Sequence, residues 1–448
     1  ITMRAASLVV AGLLAIGTGM TAASPVGAAA ELHRSAPLMA TPGSPPAAND
    51  GSSVASASQK APTASSAPPA TGAAGWHDAI TDVPGVKVGQ VQASTAPYRT
   101  GDTVVYFPTM AVAGVDQRGG APATKETDLL SPLNSNPGVN AIQLGGSSMY
   151  GLGATDGVIR WLEDRGEGVN LGSTGVASIV PAADIYDLGR GGNIKARTTA
   201  EWGYLAAASA TAGRVRQGTV GGGTGAQTGG LKGGVGSASV YLGNGIYVGA
   251  IVVVNSSGSP VNPTDCSLLG AQYGLPGEFA GLSTPTAKEC HATPIAGGSA
   301  SLNTTIAVVV TNAPLEKAAA ERMAGNAHDG MARAINPIHT LDDGDTVFGV
   351  TTGSGTPLRI NDPAADRQLN AIFNAGATTL TRAITKAALS ATSIGTSKSY
   401  CDRYPSACKK LAGLHQWRTA GNAPEVTPLT FRAASKKLAI IPVPRPKK

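Results

Sequence analysis

Aromatic side chains make up only 4% of this chain and charged ones only 14%. A core built from it must close on aliphatic residues and on near approach of backbones, which the 59 glycines favour. The low charge does not signal disorder, because 42% of the 448 residues are hydrophobic, enough to fill a sizeable core. No basic run is interleaved with aromatics, so the formal charge of +6 carries no nucleic-acid signature. Part of that charge gathers at the end of the chain, in Lys436, Lys437, Arg445, Lys447 and Lys448.

Several motifs are missing as well. There is no HExxH pair, no GxSxG elbow, no Walker lysine followed by Ser or Thr, and no GxGxxG between a strand and a helix. Gly221–Gly225 therefore reads as a closely packed connection and not as a phosphate loop. The four cysteines contain no CxxC pair, which disfavours a zinc site. Two local disulfides, Cys266–Cys290 and Cys401–Cys408, are the economical reading, although four cysteines allow three connectivities. After residue 30 no apolar run is long enough to span a bilayer.

What is present divides the chain into three parts. Residues 1–30 read as a signal peptide: Met3, Arg4, the apolar segment Ala5–Ile16, and small residues at Ala28–Ala30. Residues 31–75 are rich in Ala, Ser and Pro, bury too little to offset chain entropy, and read as a disordered linker. Residues 76–448 read as the folded domain of a secreted protein. Strands are expected at Thr103–Phe107, Ala141–Leu144 and Thr305–Thr311. A hairpin is expected from Ser239 to Val254 about the turn Asn244-Gly245. A helix capped by Ser147 or Ser148 should run to Arg165, and another should cover Gly192–Thr211. A third should start at Asn312 and Pro314, burying Ala319, Met323, Ala327 and Met331. The fourth, from Asn361 and Asp362, should bury Leu369, Ile372, Phe373, Leu380 and Ile384. Direct hairpins mixed with helices favour two sheets with helices on both outer faces.

The chain from Trp76 to about Lys398 resembles the DmpA-type L-aminopeptidase/D-esterase family, which includes β-peptidyl aminopeptidases and nylon-oligomer hydrolases. The resemblance rests on ordered segments: Ala79–Gly89, Leu144–Ser147, Val180–Asp187, Gly223–Ala226, Lys232–Ala238, Val253–Asn255, Asn303–Ile306, Thr311–Leu315 and His339–Phe348. It implies a four-layer αββα sandwich of the kind shared with ornithine acetyltransferases. It also implies a precursor that cuts itself before a Ser or Thr. Here that bond is Asn303–Thr304, giving chains 76–303 and 304–448, with Thr304 as nucleophile and Thr305 as the fallback. Many members cleave at Gly-Ser; Asn-Thr follows the nylon-oligomer branch.

A threonine hydroxyl needs a neighbouring base, and a new α-amine with an ordinary pKa near about 7.7–8.0 can serve. The family positions matched by Tyr186, Lys232 and Asn255 line the site, with Asn255 suited to an oxyanion. Asp343 and Asp345 match the pair that orients the amine or a substrate ammonium, and Asp342 reads as a turn residue. No cofactor or metal is implied. The expected substrate is a small peptide or amino-acid amide, and the expected assembly a homo-oligomer. The competing readings are an acyltransferase of the ornithine acetyltransferase type and a silent binding protein on the same fold.

Overall fold

Eighteen residues, Thr100–Gln117, form one strand that belongs to two sheets. This strand, β2, is fully buried over Thr100–Phe107, surfaces at Pro108 and Thr109, and shifts register between Tyr106 and Ala111. The irregularity bends the strand from one sheet into the other. The computed structural model describes residues 67–291 and 302–426, so the signal peptide, most of the linker and the basic tail lie outside the described residues.

The first half of β2 pairs with β1 (Lys87–Ala93) and with β4 (Val139–Gly145), which leads to β5 (Ala182–Asp184) and the two-residue β3 (Thr124–Lys125). The second half pairs with β9 (Thr346–Thr351), followed by β8 (Thr304–Thr311), β7 (Ile246–Asn255) and β6 (Gly234–Gly243). Period-two alternation gives each sheet two apolar faces. Val105, Phe107, Ile142, Leu144, Ile251, Val253, Val308 and Phe348 meet between the sheets. On the outer face of the first sheet, Val104, Tyr106 and Ala141 pack with helices α1 (Thr155–Glu163) and α2 (Ala200–Ala208). On the outer face of the second, Val252, Ala307 and Val309 pack with α3 (Lys317–Ala334) and α4 (Asp366–Ser390). The four layers are helix, sheet, sheet, helix, as the resemblance implied.

Helices come close because glycine allows it. A Cβ on Gly236 would stand 1.8 Å from the Ala383 carbonyl oxygen, and one on Gly349 would stand 2.1 Å from that of Ala320. The Asn244-Gly245 turn has φ of 51° and 78°, the doubly positive geometry that a two-residue hairpin needs.

Three helices start later than their capping signals suggest. Asn312 does not cap α3: its Oδ1 accepts from Tyr247 N at 2.8 Å and its Nδ2 donates to Gly245 O at 2.8 Å, tying down the hairpin. Asp362 closes a local turn onto Ala364 N at 3.0 Å, so α4 begins at Asp366. Ser147 Oγ accepts from Thr198 N at 3.1 Å and leaves the helix uncapped, and residues 148–154 form a 3-10 segment before α1. The helix expected over Gly192–Thr211 is confined to α2, because Asn193 Oδ1 takes Lys195 N at 2.9 Å in a turn. At the end of the segment read as a linker, Gly72 N donates to Tyr241 O and Ala73 O accepts from Tyr241 N, at 2.7 and 2.9 Å. Both expected cysteine pairings occur, with Cα–Cα separations of 5.6 and 5.5 Å.

Two buried charge clusters have opposite pH behaviour. On α4, Arg382 and Lys386 are fully buried and each pairs with both Asp78 and Glu278, drawing the ends of the fold together. Burial works against the Glu278 charge, yet Lys386 and Arg382 outweigh it and hold the carboxyl at about 2. In the first sheet, Gln143 Nε2 donates to Asp102 at 2.7 Å and to Asp184 at 2.9 Å. Burial pushes Asp102 up to about 8 and Asp184 well above the usual range, the latter also through repulsion from Asp102. A raised carboxyl stabilises the fold while protonated and loses that contribution as pH climbs through its folded pKa. Stability should therefore decline between about pH 4 and pH 8, and Asp102→Asn should flatten the decline. Melting temperatures of both proteins from pH 5 to 9 should show the variant ahead at the alkaline end, by on the order of a few kcal/mol in stability.

Candidate active site

Strand β8 begins at Thr304, directly opposite Asn255, the last residue of β7. On its other side β9 runs parallel, with Thr346 beside Ile306. Ile306, Val308 and Val310 face the inter-sheet core, whereas Ala307 and Val309 face α3 and α4. Alternation therefore sends the Thr304 side chain to the inter-sheet face and that of Thr305 to the helix face. Opposed residues of an antiparallel pair share a face, so Asn255 and Thr304 are neighbours.

The peptide between Asn303 and Thr304 is strapped to the loop before β9. Asn303 N donates to Asp342 O at 2.9 Å, and Gly344 N donates to Asn303 O at 3.1 Å. The Thr304 hydroxyl donates to that same carbonyl oxygen in a short contact. Thr304 and Asn303 are both buried, so these bonds face little competition from water. Gly344 fits because it lacks a side chain: a Cβ there would lie 2.6 Å from Ala121 O and 2.9 Å from Thr304 Oγ1.

Asp343 and Asp345 flank this glycine and are fully buried. Asp345 Oδ1 accepts from Thr305 N at 2.7 Å, and its Oδ2 accepts from His339 N at 3.0 Å and contacts His339 Nδ1 at 2.8 Å. Asp343 accepts from Ser257 N at 2.9 Å and from Thr340 Oγ1 at 2.7 Å. Burial, reinforced by the Asp345 charge, raises its pKa. Asp342 serves in the turn, as expected.

Asn255 is oriented by its neighbours. Its Oδ1 accepts from Arg190 Nη1 and from Gln227 N, the latter at 2.9 Å. Two donors on the oxygen fix the amide so that Nδ2 is the donor end, and its bond to Tyr186 O is long at 3.3 Å. That arrangement leaves N–H capacity for a developing oxyanion. Tyr186 thus enters the site through its backbone carbonyl. Lys232 is buried close by, but its ammonium donates to Gly223 O and Gly233 O, both at 2.8 Å, and no bond joins it to Thr304. Burial, and then the Arg190 charge, push it well below the usual lysine range against the pull of Asp187.

The structure therefore gathers Asn303, Thr304, Asn255, Asp343 and Asp345 about one peptide, with Tyr186 and Lys232 behind it. The disulfide cysteines lie elsewhere: Cys266, Cys290, Cys401 and Cys408 pack among Tyr400, Tyr404 and Trp417. Two participants had no individual signal in the sequence. His339 stands within the His339–Phe348 segment but is tied to the site only by its contact with Asp345. Its ring also meets that of His328 edge-on, with centroids 4.7 Å apart. Arg190 is a lone arginine in a glycine-flanked loop.

The chain is 44% identical over 346 residues to an uncharacterized aminopeptidase of Mycobacterium tuberculosis, covering 74% of this chain and 99% of that protein. It is 32% identical over 288 residues to the 6-aminohexanoate-oligomer endohydrolase of Paenarthrobacter ureafaciens, covering 60% of this chain and 74% of that protein. Among solved structures, the L-aminopeptidase D-Ala-esterase/amidase of Ochrobactrum anthropi shares the fold with a TM-score of 0.56 at 22% identity, covering 83% of this chain and 96% of that one. A β-aminopeptidase of Burkholderia sp. gives a TM-score of 0.53 at 22% identity, over 83% of this chain and 97% of that one. Residues 78–401 match peptidase family S58. With that match and these relatives, the chain belongs to peptidase family S58, as an amidohydrolase on the two-sheet fold that its segments led one to expect.

Proposed function

We propose that the protein is a self-processing aminopeptidase or small-amide hydrolase whose nucleophile is Thr304, released as an amino terminus by cleavage after Asn303. The observation that carries this reading is the double hold on the Asn303 carbonyl. The Thr304 hydroxyl bonds to its oxygen while the Gly344 N–H donates to the same atom. In cleavage, Oγ1 attacks the Asn303 carbonyl carbon, a C–O bond forms, and the C–N bond to Thr304 breaks. The hydroxyl proton ends on the departing nitrogen, which becomes the α-amine. Water then hydrolyses the ester and frees the hydroxyl. The Gly344 N–H suits the oxyanion of this first step, in a site where fixed donors act strongly.

In turnover the new α-amine takes the hydroxyl proton, directly or through a water, and Thr304 Oγ1 attacks the substrate carbonyl. Asn255 Nδ2 donates to the oxyanion, a contact typically worth about 3 kcal/mol. Asp343 and Asp345 orient the amine, and Lys232 and Tyr186 hold the walls in place. Substrates are small peptides, amino-acid amides or ω-amino-acid oligomers, in keeping with the names of the relatives. Two cystine bridges favour an oxidising compartment and so support export. A homo-oligomer completes the proposal; Leu133 and Leu341 are largely exposed apolar residues that a subunit contact would cover.

Intact mass and amino-terminal sequencing of the purified protein test the cleavage. Wild type should yield a fragment beginning at Thr304, and Thr304→Ala should stay as one chain without amidase activity. A wild-type protein that remains uncut, or a Thr304→Ala protein that still cuts, would overturn the assignment. Gly344→Ala should slow cleavage by up to about 100-fold, since the added carbon displaces the hydroxyl from its carbonyl. His339→Ala should slow turnover of cleaved enzyme about tenfold by releasing Asp345, and His339→Asn, which retains a nearby donor, should recover part of the loss.

A further inference from the structure

Beside the site, a cavity of about 230 Å³ opens between the loop at Arg190, the Gly225–Gln227 segment and residues 394–397. Two guanidinium groups, Arg99 and Arg190, line it together with Gln227, Thr396 and Ser397. Among the described residues, neither arginine forms an ion pair with a carboxylate. Asp187 acts on Arg190 from a buried position, where one of its oxygens accepts from Ser147 N at 2.7 Å. Among the described residues, only Nη1 of Arg190 is engaged, on Gly225 O and on Asn255 Oδ1. Arg99 Nη1 donates to Arg190 O at 3.3 Å, and its Nε is buried without a hydrogen-bond partner among the described residues. A guanidinium carries five N–H donors, so most of the donors here are unused, and a buried unused donor is costly.

The placement suggests what uses them. Arg190 rests on Asn255, which stands opposite Thr304, so the cavity lies on the β7 side of the nucleophile. Asp343 and Asp345 precede β9 on the other side of β8. With the Thr304 amine held on the Asp343–Asp345 side, a short substrate whose carbonyl meets Thr304 would extend its leaving-amine portion past Asn255 towards the guanidiniums. Planar forked donors match the two oxygens of a carboxylate. We propose that the Arg99–Arg190 pocket binds the free carboxylate on the leaving-amine portion of a short zwitterionic amide, so that the enzyme is selective for free acids. This rests on the amide-hydrolase reading above, in which Asp343 and Asp345 orient the Thr304 amine.

The test compares kcat/KM for alanyl-alanine with that for alanyl-alanine amide, and for the linear 6-aminohexanoate dimer with its amide. The cleaved wild-type enzyme and the Arg99→Gln and Arg99→Lys variants are measured side by side. Wild type should favour the free acids by about tenfold or more, the gain expected from one charge-assisted contact. The acid-to-amide ratio should fall towards one in Arg99→Gln and lie between the two in Arg99→Lys, which keeps the charge but not the fork. A wild-type ratio near or below one, or a ratio unmoved by Arg99→Gln, overturns the carboxylate pocket while amide hydrolysis stands. If cleaved wild type hydrolyses neither the acids nor the amides, the amide-hydrolase reading fails and the pocket assignment fails with it.

Discussion

The site depends on the register of one strand. β8 is clamped between antiparallel β7 and parallel β9, and that double pairing sets Thr304 opposite Asn255 and beside the Asp343–Asp345 loop. A slip of one residue would turn every side chain of β8 over. Thr305 would then face Asn255, and the valines that fill the inter-sheet core would exchange places with those under the helices. The run Ile306–Val310 is buried throughout, so such a slip would misplace apolar residues on two faces at once. Core packing and the placement of the Thr304 hydroxyl are therefore enforced by the same pairing. The same alternation separates two adjacent threonines of identical chemistry: Thr305, turned to the helix side, has a buried hydroxyl with no hydrogen-bond partner among the described residues.

Around this strand end, water is replaced by fixed groups. Lys232 is held down, Asp343 is held up, and Asp187 is pushed up to about 6 by burial, against the opposing pull of Arg190. Such a setting strengthens each remaining dipole and charge, which is the condition under which a backbone N–H or an Asn amide stabilises an oxyanion well. Asn255 is the hinge of the arrangement. Its oxygen is occupied by Arg190 and Gln227, so its amide nitrogen can point in only one sense. A group that settled against Arg190 would therefore lie one hydrogen bond from the residue that faces Thr304.

Much of the scaffold was legible in the sequence because it rests on local rules. Asn244-Gly245 fixes a hairpin, Thr305–Thr311 has the composition of a buried strand, and the α3 and α4 stripes repeat at helical spacing. Helix starts were less legible, since a capping residue can be drawn elsewhere. Asn312 is claimed by the neighbouring hairpin and Ser147 by Thr198, and nothing near them in sequence announces either partner. For the site, Asn303-Thr304 could be singled out only through the ordered series of segments, as an isolated Asn-Thr before a strand is ordinary. The contacts made by His339 and Arg190 come from loops brought together by the fold. Lys232 shows the converse: it is buried, but its bonds go to the Gly223 and Gly233 carbonyls and not to Thr304.

The topology also bears on what a cut at Asn303 could do. Across the second sheet the order is β6, β7, β8, β9 and then β2. Cleavage would assign β6, β7 and β2 to one chain and β8 and β9 to the other. The second chain would thus be inserted between strands of the first, paired with β7 on one side and β2 on the other. Separation would require breaking both ladders and opening the core shared with α3 and α4. The buried ion cluster adds a further tie, since Arg382 and Lys386 fall in the second chain while Asp78 and Glu278 fall in the first. Thr304 is seated by its pairing with Asn255 and by the Asp345 bond to Thr305 N, neither of which uses the peptide that would break, whereas its hydroxyl bond and the Gly344 strap both end on the Asn303 carbonyl. Scission there would therefore create a free amine on a strand end already fixed by the rest of the fold, with little reorganisation asked of Thr304.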